Sequence, residues 1–279
     1  VAEVDHNPHP EVAAPRAAPA HRITVTVSDG ALIPDRGEKS LFSAWRISFF
    51  GAIAMLVTLP IVSPTPYRDI LVFIPDGVVT TFHVTVVSIL ISLAIGLITG
   101  LGRISRITVI NRIATIYVEV IRGIPLLVQL FYIYFALGQL VQVPRLTAAI
   151  IAMSVCYGAY MGEIFRAGLQ SVPKGQMEAA LALGLSRRQA LRKVILPQTF
   201  LVILPPVGNE FIALLKDSSL VSIIAVSDLL RRGREYAAVS FNYFETYTVV
   251  ALVYLVITLF LSKIVAFMET WVDKRGVQP

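Results

Sequence analysis

Residues 78–101, VVTTFHVTVVSILISLAIGLITGL, run for 24 positions without a formal charge. As a helix this stretch is about 36 Å long, enough to cross a hydrocarbon core of about 30 Å. Lipid offers no hydrogen bonds, so the backbone of a spanning segment must satisfy itself, and a single apolar run does so only as a helix. Composition agrees. Charged residues make up 15% of the 279-residue chain and apolar ones 56%, whereas soluble domains carry about a quarter charged residues. The chain is read as an all-α integral membrane protein.

Apolar windows predict about six spans, near residues 47–62, 78–101, 113–137, 146–165, 199–215 and 247–267. Pro60, Pro64 and Pro66 are expected to end the first. The third is the least regular. Glu119, Arg122, Gly123 and Pro125 fall in its first half, so it should face protein or a water-filled path. The stretch 220–230, LVSIIAVSDLL, is too short to span. It reads either as a re-entrant helix over a substrate path or as an amphipathic helix on the membrane surface. Residues 1–40 are rich in Pro, Ala and charge, without the apolar core of a signal peptide. They read as a mostly disordered tail with a short extended piece at 23–27, in which His6 and His9 are solvated. The lone Cys156 cannot pair within the chain and says nothing about redox compartment.

The net charge of +6 is a topology signal. A nucleic-acid partner would need a basic face with interleaved aromatics, and the sequence has none. Arg103, Arg106 and Arg112 follow the second span, and Arg166, Lys174, Arg187, Arg188, Arg192 and Lys193 follow the fourth. This bias places both termini and these two loops in the cytoplasm. The segment 216–246 opposes it with Lys216, Arg231, Arg232 and Arg234, partly offset by Asp217, Asp228, Glu235 and Glu245.

Between the fourth and fifth spans lies a polar, basic, helix-like island, PKGQMEAALALGLSRRQALRKVILPQ. MEAALAL is strong helix former, and Gly184 suits the left-handed position that ends a helix. Ser186 and Gln189 make a capping box for a second helix, which Pro197 should stop. Two short helices joined at a glycine suit docking in another protein's groove. They also suit a solvated loop packed on its own spans, and composition leaves both readings open.

The spacing Glu178-Ala179-Ala180, three residues, Gly184, nine residues, Val194-x-Leu196-Pro197 resembles the E-A-A-x3-G-x9-I-x-L-P motif of ABC importer permease subunits, with Val for Ile. VEVIRGIPLLVQLFYIYF, AYMGEIFR and KDSSL look like the polar amino-acid branch of that family, whose members import basic and acidic amino acids, glutamine or opines. The resemblance runs over residues 76–274. It implies a five-helix type I importer core with a coupling loop at 168–198, preceded by an extra helix and outer loop at 41–75 and followed by a short tail at 275–279.

The resemblance also implies partners: a cytoplasmic ATPase dimer, a second permease chain, identical or paralogous, and a solute-binding protein outside a bacterial inner membrane. The chain contains no G-x4-G-K-[ST] and no Gly-Lys pair, so it has no P-loop to hold ATP phosphates; the resemblance implies that this chain binds no cofactor and that ATP and Mg are held by the partner ATPase. The expected ATPase-coupling residues are Glu178, Ala179, Ala180, Gly184, Arg187, Arg188, Leu196 and Pro197. Candidates for the amino-acid path are the ionisable and polar groups in or near the spans: Asn209, Glu210, Lys216, Asp217, Glu163, Glu119 and Arg122. For Glu119 with Arg122, and for Glu163 with Arg166, a plain ion pair three residues apart is the competing reading. Gly96 with Gly100, and Gly158 with Gly162, are small-residue pairs that serve packing within one chain or between two.

A stand-alone ion-coupled carrier or channel would account for the spans but not for the motif spacing. A membrane enzyme would need a catalytic constellation, which Cys156 and four scattered histidines do not form.

Overall fold

The computed structural model describes residues 43–273, and every regular element in them is helical. The tail 1–40 and the last residues 275–279 lie outside the described residues. In chain order the elements are α1 (Ala44–Val62), α2 (Pro64–Phe73), α3 (Pro75–Arg103), α4 (Thr108–Gly123), α5 (Leu126–Phe131), α6 (Arg145–Ser171), α7 (Lys174–Ala182), α8 (Arg187–Ala190), α9 (Leu196–Asp217), α10 (Leu229–Ser240) and α11 (Tyr243–Asp273). Five stretches are long and apolar enough to cross a membrane, or six if the bent α4–α5 pair is one span.

The two glycine pairs find each other within the chain. A Cβ on Gly96 would lie 2.3 Å from Met161 Cβ, and one on Gly162 would lie 2.5 Å from Thr99 Oγ1. The absence of these side chains lets α3 and α6 approach closely, as small residues do in membrane helices. A polar ladder runs along the same seam: Ser92 donates to the Ser154 carbonyl at 3.2 Å and Ser154 donates to the Ser88 carbonyl at 3.4 Å.

Three expectations need correction. Residues 62–75 are not a plain outer loop, because α2 occupies them. The chain kinks at Thr65, whose backbone is extended, and the helix runs on from Pro66; Tyr67, Ile70 and Ile74, spaced three and four apart, are buried with Leu229, Val249 and Val250. Pro60 does not end α1; it sits within the last turn, and the stop comes at Ser63. The stretch 220–230 is not one helix. A 3-10 segment, Ser218–Ile224, ends at Ala225 in the left-handed region, and α10 starts afresh after Asp228. Val221, Ile224 and Val226 are buried in the main core with Met153 and Leu130, so the segment lies inside the protein rather than on a surface.

α1 packs along α11, where Trp45 Nε1 donates to the Leu259 carbonyl at 3.0 Å and Lys263 Nζ stands 5.2 Å from the Trp45 ring centre. Asp228, fully buried in the connection outside the spans, accepts from the backbone N–H groups of Leu230 and Arg231 and caps α10. The Tyr254 hydroxyl donates to it at 3.4 Å. Burial pushes its carboxyl up to about 6.

Candidate functional site

The island folds as an exposed helical turn. α7 ends in a Schellman motif: Gly184 has φ +81°, its N–H donates to the Leu181 carbonyl and the Leu185 N–H donates to the Ala180 carbonyl. Ser186 and Gln189 form the expected capping box. Glu178, Ala179, Gly184, Arg187 and Arg188 are exposed. Ala180 is not free for an external contact, because it is 3% exposed and packs inside the loop. Leu196 is 42% exposed and Pro197 is exposed beside it.

Pro197 does not stop the second helix, contrary to the sequence reading. Between α8 and α9 the chain makes a π turn, Leu191–Ile195, in which the Leu196 N–H reaches back to the Leu191 carbonyl. Proline breaks a helix by clashing with the carbonyl four residues back and by lacking an N–H. The wider π register relieves that clash, and Pro197 then falls in the first turn of α9. The second helix of the exposed turn and the fifth span are therefore one continuous helical stretch, Arg187–Ile224.

The other end of α9 opens on a cleft of about 480 Å³, within the size range of small-ligand pockets. Arg122, Tyr157, Tyr160, Glu210 and Asp217 line it, together with Gly123, Ile124 and Pro125. α4 and α5 meet there at 101°, because Pro125 cannot continue α4 and disfavours a helical residue before it. Gln129 braces the break: its Nε2 donates to the Ile121 and Ile124 carbonyls, both at 2.8 Å. The Arg122 guanidinium lies 5.1 Å from the Tyr160 ring centre, and the Tyr157 hydroxyl donates to Asp217 Oδ2 at 2.8 Å. One cation, two carboxylates and two phenols converge, a set that can complement both ends of a zwitterion.

The structure thus brings Arg122 on α4 to Glu210 and Asp217 on α9. Asn209 and Lys216 are exposed and do not line the cleft. Glu119 is exposed, lies outside the cleft and forms no ion pair with Arg122 among the described residues. Glu163 is engaged elsewhere, bridging Arg103 on α3 and Arg166 on α6. Tyr157, Tyr160 and Gln129 were missed from the sequence. Their signal was there: polar-tipped aromatics and an amide inside apolar spans need partners when buried.

A bundle of long helices with an exposed helical turn, linked by one continuous helical stretch to a polar cleft, fits a multi-pass membrane transport component. The chain belongs to the family described as binding-protein-dependent transport system inner membrane component, whose model matches residues 92–276. It is 41% identical over 197 residues to the glutamine transport system permease protein GlnP of Escherichia coli (strain K12), covering 70% of this chain and 90% of that one. Against the arginine transport system permease protein ArtQ of Bacillus subtilis (strain 168) the identity is 39% over 194 residues, covering 69% and 89%. A crystal structure of an amino acid ABC transporter with histidines superposes with a TM-score of 0.69 at 40% identity, covering 75% of this chain and 97% of that one. An inward-facing MetNI methionine ABC transporter shares the fold, with a TM-score of 0.58. The protein is a multi-pass inner membrane transport component rather than an enzyme.

Proposed function

We propose that the chain is the permease subunit of an ATP-driven importer for a polar or charged amino acid. ATP and Mg are held by a separate cytoplasmic ATPase, and a solute-binding protein delivers the substrate from outside. The termini face the cytoplasm, as the Lys and Arg bias favours, and a second permease chain completes the path. Glu178, Ala179, Gly184 and Arg187 form the docking surface. Arg122, Tyr157, Glu210 and Asp217 meet the amino acid, with Arg122 on its carboxylate and the two acids on its ammonium. The observation that carries this reading is the unbroken helix from the docking turn to the cleft, which gives ATPase closure a mechanical route to the substrate.

The test is co-purification of the full chain in mild detergent from its native host. A P-loop ATPase is expected with the wild type and not with Gly184→Glu, while Gly184→Ala, which carries the same backbone strain without the bulk, retains it. Uptake in vesicles free of ATP and of any ATPase would sink the reading and establish an ion-coupled carrier instead.

A further inference from the structure

The helix leaving the exposed turn carries a basic face that shares Arg188 with the expected coupling residues and extends beyond them. Arg188, Arg192 and Lys193, with Ser186 and Gln189, line an open cleft of about 560 Å³. All three cations are exposed, and none has an ion-pair partner among the described residues. With Arg187 they put four positive charges into residues 187–193. Ala190 and Ile195, 0% and 7% exposed, form the inward face of the same turn, so the cations cannot fold back onto this chain's core.

Alongside them runs a second feature. Leu191, Leu196 and Phe200 are 40%, 42% and 58% exposed. Their spacing of five across the π turn and four in α9 aligns them in one stripe, and α9 continues into a membrane span. A soluble acidic partner could neutralise the charges, but it could not cover an apolar stripe that runs into the hydrocarbon layer. A lipid covers both: its phosphate meets the guanidinium and ammonium groups, and its acyl chains follow the stripe.

We infer that this cleft binds the phosphate headgroup of an anionic phospholipid in the leaflet next to the docking turn. The site holds the base of the α9 helix at a fixed depth. Its existence does not depend on which substrate the transporter carries.

The experiment is native mass spectrometry of the full-length chain in neutral detergent, titrated with dioleoyl phosphatidylglycerol or dioleoyl phosphatidylcholine. Saturable preference for phosphatidylglycerol is expected, cut about fivefold by each of Arg188→Gln, Arg192→Gln and Lys193→Gln. Arg106→Gln with Arg112→Gln, exposed cations in the loop before α4 and in its first turns, should leave it unchanged. Equal losses in that control, or no preference in the wild type, would reduce the effect to general surface charge and overturn the site. Displacement of the lipid by excess inorganic phosphate would reassign the cleft to a free anion. A triple variant that keeps lipid preference but loses a co-purifying ATPase would make it a protein contact. Either of these results also defeats the inference.

Discussion

Gly96→Ala is the sharpest test of how α3 and α6 are held together. The added Cβ would meet Met161 Cβ at 2.3 Å, Met161 C at 2.9 Å and Gly162 N at 3.0 Å. Two of these neighbours are backbone, so no rotamer change relieves the contact and the helices must separate. Overpacking of this kind costs about 1–3 kcal/mol, and the backbone contacts argue for the upper half of that range. Replacing a helical glycine by alanine returns up to about 1 kcal/mol of propensity, which leaves a net loss of about 1–2 kcal/mol. Gly123→Ala is the control, because nothing lies within 4 Å of its Cβ, and a change within about 0.5 kcal/mol is expected there. Reversible unfolding in mixed micelles at rising dodecyl sulfate fraction would compare the two. If Gly96→Ala proves as stable as Gly123→Ala, the seam is not packed as described and the small-residue account of it is wrong.

Two further outcomes are expected. Gln129→Leu keeps the bulk but leaves the Ile124 carbonyl without its side-chain donor and the Ile121 carbonyl with only the 3.4 Å bond from the Ile124 N–H, at a local cost of about 1–3 kcal/mol; faster amide exchange over residues 121–128 and impaired uptake should follow, and unchanged exchange would show that the 101° break holds without it. Asp228 has a folded-state carboxyl raised to about 6, against about 3.9 in an unfolded chain. Below about pH 4 both states are protonated and the charge costs nothing. From pH 4 to 6 the unfolded state ionises first, so stability falls as pH rises, by about 3 kcal/mol in all. Asparagine caps a helix equally well, so Asp228→Asn should gain on the wild type across that window, and parallel stability curves would refute it.

What could be read from the sequence was local. Gly184, Ser186 and Gln189 lie close together in sequence, and their caps form as the pattern requires. The Gly123–Pro125 break was legible for the same reason. The glycine pairs announced close packing but not its partner, because each pair lies on one helix while its counterpart sits about 60 residues away. α2 was hidden among three prolines, and its apolar face appears only once Leu229 and Val249 are there to cover it. Pro197 misled because a proline rule that holds for α-helices is relaxed by a π turn, which depends on register and leaves no residue signature. In the cleft, Arg122 and Asp217 are brought together by a bend and a long helix, while Tyr157 and Tyr160 pass in sequence for core aromatics.

From Arg187 to Glu210 the chain is helical throughout, a rod of about 35 Å whose give is concentrated at the π turn and at Pro205 and Pro206. A rod of this kind carries no memory of which end was pushed. On the proposed importer reading, occupancy of the cleft biases the turn by the same free energy with which the turn biases the cleft. Whatever fills the space beside Glu210 is, on that reading, announced at residue 187 before any ATP has been spent.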